Sequence, residues 1–540
     1  MSDLRLDAAL EACLSADGAC LRVPALVQGQ LVVPSPVDAD AIAELAAPHG
    51  GERPPGGAFR ALRLGENWVL PLPGASSQAP GYLVFPRIPP ASLLQTDVQR
   101  LARELYSLRT SDVLDYVTTL RGALRDVGRV ARREALAASL RDDPLLPLIV
   151  DQLPLLFDAE SLGEAIDREL SIEGRPGRDS LDGWIPVSAR AYRGFTARVA
   201  DGVFGKGSPG ILAESAHAFV PRVRAVPTRQ LHISAGNSPF IPILSFLRGL
   251  AVRGALVIKS PAECSTVATL LALAMHTAVP DHPITRHTSL VYWPGGDRTT
   301  EDVLFQAGAF DRIVAWGAPD TVHSIRQRVA GTKTLFLNPR AGISLVGRGA
   351  ADVDWAPIAQ QACIDSLIAN QQACISSLVH YVVGTDEDVA EYCRSLQAAL
   401  AQWDQRVPYR LPPASLGQLR LLRRGAWLQG KWHLNRRDGE ISSAVVYLPY
   451  AFDLSQHPQS RVIVVRRLDR PDEILKYLSP ALSSLGIYPP QWLDALRDAA
   501  AAAGVSNLFP LGDAERNYAG MPHDGMRILA ELVNWVNSAG

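Results

Sequence analysis

Cysteine is scarce in this chain, with six residues in 540, at positions 13, 20, 264, 363, 374 and 393. None falls in a C-x-x-C pair, no Cys/His group has zinc-ligand spacing, and H-E-x-x-H is missing. A disulfide scaffold and a zinc site are therefore not expected, and a reducing compartment, the cytoplasm, is. Long apolar runs are also lacking. The best, Val267 to Ala278, is interrupted by His276, and it falls well short of the ~20 residues a membrane-spanning helix needs. The opening residues Met1-Ser2-Asp3-Leu4-Arg5-Leu6-Asp7 are acidic and amphipathic, unlike a signal peptide. No excess of basic charge exists: 53 Lys and Arg face 55 Asp and Glu, a net charge of −2. Nucleic-acid binding as a main task is excluded, because neutralising phosphates needs a basic excess. Lysine itself is rare, occurring only at 206, 259, 333, 431 and 476. A generic cation here is arginine, so each lysine carries some information.

What is present is a large apolar core, with 47% hydrophobic residues. At about 150 residues per domain the length implies three or four structural units. Residues 1–175 read as short strands, loops and helices packing on a second unit. Residues 176–345 read as a dinucleotide-binding α/β domain. Residues 346–490 read as a second α/β domain, and residues 491–540 as a helical segment.

Alternation of apolar runs and helical segments is clearest from 229 to 347. The runs are Gln230–Ile233, Ala255–Ile258, Ser289–Trp293, Arg312–Trp316, Thr334–Leu337 and Ile343–Val346. They are apolar on both faces, which predicts a doubly wound parallel sheet covered by helices on both sides. Ser260-Pro261-Ala262-Glu263 reads as a capping box opening a helix. Thr299-Thr300-Glu301-Asp302 is a weaker start of the same kind.

Two patterns are compatible with nucleotide binding. Gly205-Lys206-Gly207-Ser208-Pro209-Gly210 fits G-x-G-x-x-G, but no strand feeds it and Pro209 sits inside, so it reads as a flexible surface turn rather than a dinucleotide loop. Leu231 to Pro239 is the better pattern. It is a strand ending in the small-residue turn Ser234-Ala235-Gly236-Asn237-Ser238, at the carboxyl end where open α/β sheets bind ligands. Lys259 and Ser260 occupy the matching place after the next strand. A lysine there reaches a ribose or phosphate, or is simply a solvated charge.

Gln-Gln-Ala-Cys occurs twice, ending at Cys363 and Cys374. Cys363 lies within a helical apolar pattern, where a thiol is usually a small core residue. Cys374 follows the break in that pattern and is the better candidate for an activated thiolate.

Taken in order, His232-Ile233-Ser234-Ala235-Gly236-Asn237, Val257-Ile258-Lys259-Ser260, Trp316-Gly317 and Asn370-Gln371-Gln372-Ala373-Cys374 resemble the acyl-CoA reductase family. This is the fatty-acid reductase component of bacterial luminescence systems, within the aldehyde dehydrogenase superfamily. The tail Met521-Pro522-His523-Asp524-Gly525, with an amphipathic helix expected to Asn537, resembles that family's C-terminus.

The resemblance implies an aldehyde-dehydrogenase-like α/β fold and reduction of an acyl-CoA or acyl-carrier thioester to an aldehyde. It implies Cys374 as nucleophile, Asn237 as an oxyanion-hole amide, and Lys259 on the adenosine ribose. Ser234, Ala235, Gly236, Ser260, Trp316 and Gly317 would then line the cofactor. His523 has two readings: a proton donor or thiol-group contact near the site, or a turn capping the last helix. An acid-activating ligase or acyltransferase is an implied partner, and a homo-oligomer an implied assembly. Hydrolytic members carry a glutamate about where this chain has Leu337-Asn338-Pro339. Asn338 cannot act as that base, so a thioacyl-enzyme would persist. Small, uncharged Ala262 near the ribose leaves room for a 2′-phosphate, favouring NADPH over NADH, provided the capping box engages Glu263. Two alternatives stay open: a non-catalytic acyl-binding or scaffolding subunit, and an acylating aldehyde dehydrogenase working towards the thioester.

Overall fold

The computed structural model describes residues 20–37, 61–71, 81–133, 150–188, 199, 202–203, 220–329, 331–349, 353–425 and 430–539. The Gly205–Gly210 pattern lies outside them.

Five short runs build the core of the first sheet: Arg229–Ile233, Ala255–Lys259, Thr288–Val291, Arg312–Trp316 and Lys333–Leu337. They are parallel. In space the order is 333–337, 312–316, 229–233, 255–259, 288–291. The chain starts in the middle, winds outwards one way, then returns to wind the other. The reversal falls between Arg229–Ile233 and Arg312–Trp316, and the carboxyl ends at such a switch point are where open α/β sheets bind ligands.

Helices Ile241–Ala251 and Ser265–Ala278 lie against the sheet and are nearly all buried. The 24-residue helix Thr110–Arg133 shares their core through Val113, Tyr116, Leu120 and Leu124. The N-terminal hairpin Ala25–Val27/Gln30–Val32 adds two antiparallel strands to the same sheet, Leu26 opposite Leu290. Its turn is Gln28-Gly29 with φ of 46° and 79°, the two left-handed residues that a tight hairpin turn requires.

The second sheet has spatial order 431–437, 440–447, 462–468, 377–383, 341–347, 482–488, 507–510. Lys431–Arg437 and Glu440–Tyr447 are antiparallel, and the other neighbours are parallel. Helices Trp355–Leu367 and Asp386–Arg406 cover one face, sharing Trp355, Cys363, Tyr392 and Leu396 in a common core.

Four sequence expectations are corrected. The run Ile343–Val346, read as the last strand of the first alternation, belongs to the second sheet as Ala341–Gly347 and straddles the boundary drawn at 345. The capping box at Ser260–Glu263 does not form. Pro261 is extended, residues 262–264 make a single tight turn, the helix proper starts at Ser265, and the Ser260 hydroxyl bonds Pro261 O. The second start is displaced likewise, since Asp297 precedes helix Arg298–Leu304 and Glu301 accepts from Gly296 N at 3.0 Å.

Residues 491–540 are not simply helical. Helix Gln491–Ala502 leads to strand Asn507–Pro510 at the edge of the second sheet. Helix is then confined to Ile528–Leu532, and Asn534–Ala539 is a strand antiparallel to Pro221–Val226. Asn534-Trp535-Val536-Asn537 runs polar-apolar-apolar-polar and is exposed throughout, so its pattern does not choose between helix and strand. The neighbouring Arg312 guanidinium decides, donating to Glu531 O, Val533 O and Asn534 Oδ1.

Candidate functional site

One side of the site is built by strand ends of the first sheet. Ser234 ends the central strand and donates its N–H to Lys259 O at 3.1 Å, holding the turn onto the next strand. Gly236 is closely approached by a side chain: a Cβ there would lie 2.7 Å from Glu263 Oε2. Glu263, freed from capping, thus rests against the Ser234–Asn237 turn. Lys259 is buried, with Nζ 5.6 Å from the Trp293 ring centroid and 5.9 Å from that of Tyr292. Burial lowers its pKa, while Glu301 and Glu263 oppose the shift.

Trp316 ends its strand, buried, with Gly317 next and the Thr321 methyl 3.1 Å from where a Gly317 Cβ would be. Among the described residues, Ser234 Oγ, Trp316 Nε1, Arg248 Nη1 and His523 Nε2 are buried with no hydrogen-bond partner. Buried polar groups are normally satisfied, so an array of orphans beside these strand ends suits a polar ligand. With Lys259 and the Gly236 turn, this set fits a nicotinamide dinucleotide.

The thiol side is built by the loop between helix Trp355–Leu367 and strand Ser377–Val383. Cys374 is half-buried. Cys20, Cys264, Cys363 and Cys393 are all buried, which leaves Cys374 the one partly accessible cysteine among the described residues. Burial pushes Cys363 up to about 12. Cys374 is pushed up to about 11 by burial and by Asp524, against its own backbone N–H, Arg248 and Arg340.

The loop is tied down at several points. Ser376 Oγ donates to Ile368 O at 2.8 Å, Ser484 Oγ to Ile375 O at 2.9 Å, and Ser483 Oγ to Cys374 O. From the other sheet, Asn237 Nδ2 donates to Gln372 O at 2.7 Å. That bond brings the carboxyl edge of the first sheet to the amino edge of a strand in the second, with Cys374 beside the junction.

The C-terminal turn closes the site. His523 and Met526 exchange two backbone hydrogen bonds of 2.9 Å around Asp524 and Gly525, whose φ values are 51° and 79°. The turn precedes helix Ile528–Leu532 and also places the His523 ring edge-on to Trp316, centroids 5.2 Å apart. Burial, with Arg248 and Arg340, pushes the His523 pKa down to about 3. The ring is therefore neutral near pH 7 and is not a cationic acid.

Sequence reasoning gave no role to three groups here, Arg248, Arg340 and Asp524, and misplaced a fourth, Glu263, as a helix cap. Arg248 stacks 5.5 Å from the Trp316 ring centroid. Its signal was being the sole charge in the apolar helix Ile241–Ala251. Arg340 Nη1 donates to Ser506 Oγ at 2.9 Å, and its Nε lies 3.7 Å from Asp524 Oδ1. Asn338, at the position where hydrolytic relatives would carry glutamate, is exposed. Among the described residues no cluster of His, Cys, Asp or Glu could hold a metal, and no helix is long and apolar enough to cross a membrane.

Comparison with known proteins gives a fold and a family. Aldehyde dehydrogenase 21 from Physcomitrella patens superimposes with a TM-score of 0.62 over 97% of this chain and 99% of its own, at 11% identity. The NADP-dependent glyceraldehyde-3-phosphate dehydrogenase from Bacillus halodurans C-125, complexed with NADP, gives 0.60 over 88% and 96%, at 13% identity. These likenesses establish an aldehyde-dehydrogenase-like fold. The long-chain acyl-protein thioester reductase of Vibrio harveyi is 27% identical over 329 residues, 58% of this chain and 65% of that protein. The match thus spans less than two thirds of that relative's length. The acyl-CoA reductase (LuxC) family matches residues 222–535, from the strand Pro221–Val226 into the last strand, and the chain belongs to that family.

Proposed function

We propose that this protein reduces an acyl thioester, carried by CoA or by a carrier protein, to an aldehyde through a thioacyl group on Cys374. One observation carries the reading. The single partly exposed cysteine among the described residues stands on a loop bonded by Asn237 to the ligand-binding edge of a doubly wound sheet.

Cys374 would attack the thioester carbonyl as the thiolate, breaking the carbonyl–sulfur bond and expelling the CoA or carrier thiolate. Asn237 has a second amide N–H beyond the one given to Gln372, and the Cys374 N–H lies against its own sulfur. These two donors would hold the developing oxyanion. Arg248 and Arg340 favour the thiolate, offsetting part of the burial. Lys259, Ser234, Ala235, Gly236, Ser260, Trp316 and Gly317 would hold the dinucleotide. When bound, NAD(P)H would supply the hydride that takes the thioacyl carbon to the aldehyde level, with the Cys374 sulfur released as the aldehyde forms. His523, neutral, would offer a hydrogen bond from its edge-on seat at Trp316. No carboxylate stands at position 338 to activate water, which favours reduction over hydrolysis.

With NADH kept open beside it, NADPH is favoured only by the small side chain of Ala262, since the condition that Glu263 be engaged as a cap is not met. Glu263 opposes it, because its carboxylate rests on the Gly236 turn instead of capping a helix. We place the protein in the cytoplasm, where thiols stay reduced. It would be supplied by an acid-activating ligase or an acyltransferase and would work as a homo-oligomer.

The deciding experiment follows NADPH and NADH oxidation with a panel of acyl-CoAs while aldehyde is measured. Radioactive acyl groups should label the parent and Cys363→Ala but not Cys374→Ser. Aldehyde formed at the parent rate by Cys374→Ser would sink the proposal. Labelling without dinucleotide oxidation would instead identify an acyl-binding subunit.

A further inference from the structure

Two runs of three consecutive left-handed residues face each other behind the thiol, and neither contains glycine. Ala369, Asn370 and Gln371 have φ of 47°, 51° and 67°, and Gln459, Ser460 and Arg461 have φ of 54°, 58° and 67°. Side chains other than Asn and Asp rarely adopt this region, and runs of it are rarer still. Such backbone persists where its surroundings hold it, and it gathers at functional sites.

The two runs hold each other. Arg461 Nε donates to Asn370 Oδ1 at 2.9 Å, and Val462 N donates to Gln371 Oε1 at 2.8 Å. Arg461 is itself fixed from behind. It is fully buried, its Nη1 reaches Asp404 Oδ1 at 2.5 Å and Val407 O at 2.8 Å, and its guanidinium lies 4.5 Å from the Tyr409 ring centroid. The second oxygen of Asp404 accepts from Ser442 and Ser443, each at 2.8 Å. Arg461 Nη2 has no partner among the described residues.

A buried ion pair is a poor device for stability, since apolar replacement often does as well. It is a good device for fixing one geometry. Here the fixed geometry is that of Asn370, four residues before Cys374.

We infer that Arg461, anchored by Asp404, and Asn370 are positioning residues: they hold the left-handed segment 369–371 in the one conformation that aims Cys374 at the acyl carbonyl. The inference rests on Cys374 being the nucleophile. Neither residue touches the substrate. They act through the placement of the sulfur relative to the Cys374 N–H and the Asn237 amide, where an error of about 1 Å can cost ~100-fold in rate.

The test is Asn370→Gly, which keeps the left-handed backbone accessible and deletes only the acceptor for Arg461. Single-turnover acylation by a radioactive acyl-CoA, without dinucleotide, should slow by about 10- to 100-fold. Alkylation by iodoacetamide, which needs no fixed approach, should stay within about threefold of the parent, because the charges around the thiol are unchanged. KM for the acyl-CoA should change little. Asn370→Asp, which restores an acceptor and tolerates the left-handed region, should recover acylation. Arg461→Lys keeps the charge but lacks the Nε donor, and should reproduce the slow acylation with near-parent alkylation. Parent-rate acylation in Asn370→Gly overturns the inference. So does a loss in which acylation and alkylation fall together with the melting temperature, since that is a structural role only. Acyl labelling that survives Cys374→Ser in the same assay is a different failure, that of the nucleophile itself.

Discussion

The side-chain amide of Asn237 donates a 2.7 Å hydrogen bond to the carbonyl of Gln372, two residues before Cys374. One asparagine therefore ties the dinucleotide-side turn to the thiol loop and still has a second N–H to offer. Asn237→Ala removes both at once. Loss of an oxyanion donor alone typically costs about 100- to 1000-fold in rate, and aldehyde formation should fall by at least that factor. The melting temperature should move little, because Asn237 is exposed. Steady-state aldehyde production beside a thermal melt checks both halves.

The Cys374 thiol, held near 11, lies above its ordinary value of 9.0. Alkylation by iodoacetamide should therefore keep rising, about tenfold per pH unit, well past pH 9, since only the thiolate reacts. Asp524 contributes to the elevation, so Asp524→Asn should shift the profile to lower pH and speed alkylation several-fold at pH 8. The stability sign follows. A folded pKa above the unfolded one means the native state binds this proton more tightly, so the contribution is full below about pH 9 and is lost as pH rises through about 11. A profile that levels off at pH 9 would contradict this account.

Cys363 repeats the Gln-Gln-Ala-Cys pattern but sits in the core with Trp355, Tyr392 and Leu396. Cys363→Ala should cost about 1–2 kcal/mol of stability by opening a small void and leave acylation intact. Chemical denaturation and acyl labelling of the same preparation separate the two effects.

Gly236→Ala drives a Cβ to 2.7 Å from Glu263 Oε2. The carboxylate is the end of a flexible side chain and can move, so the fold should survive while the turn proposed to hold the dinucleotide is disturbed. KM for the dinucleotide should rise several-fold, with acyl labelling in its absence unchanged. Glu263→Gln should improve NADPH relative to NADH, because a negative charge near a 2′-phosphate is removed. An unchanged NADPH/NADH ratio would show that the carboxylate does not meet that end of the cofactor.

The first sheet was legible because its strands are buried on both faces. Arg312–Trp316 was bounded correctly, and the other four were found within a few residues. Less legible were segments whose environment is mixed. Lys431-Trp432-His433-Leu434-Asn435-Arg436-Arg437 is an edge strand too polar to announce itself. The run at 343–346 was visible as a strand, yet its partners, Ser377–Val383 and Leu482–Tyr488, come from far along the chain. Glu263 was misjudged because Ser-Pro-Ala-Glu satisfies a local rule that the backbone at Pro261 does not follow.

The sequence by itself determined the layered α/β architecture, the family and the one cysteine to watch, since these follow from periodicity and from residue order along the chain. Only the tertiary structure decided which charges surround that cysteine. Arg248, Arg340 and Asp524 reach it from an apolar helix, an inter-sheet loop and the C-terminal turn, elements that no local pattern connects. The same holds for Arg461 and Asp404, which reach the thiol loop from 87 and 30 residues beyond Cys374. Electrostatics and hydrogen bonding act over a few ångströms of space, whatever the distance along the chain.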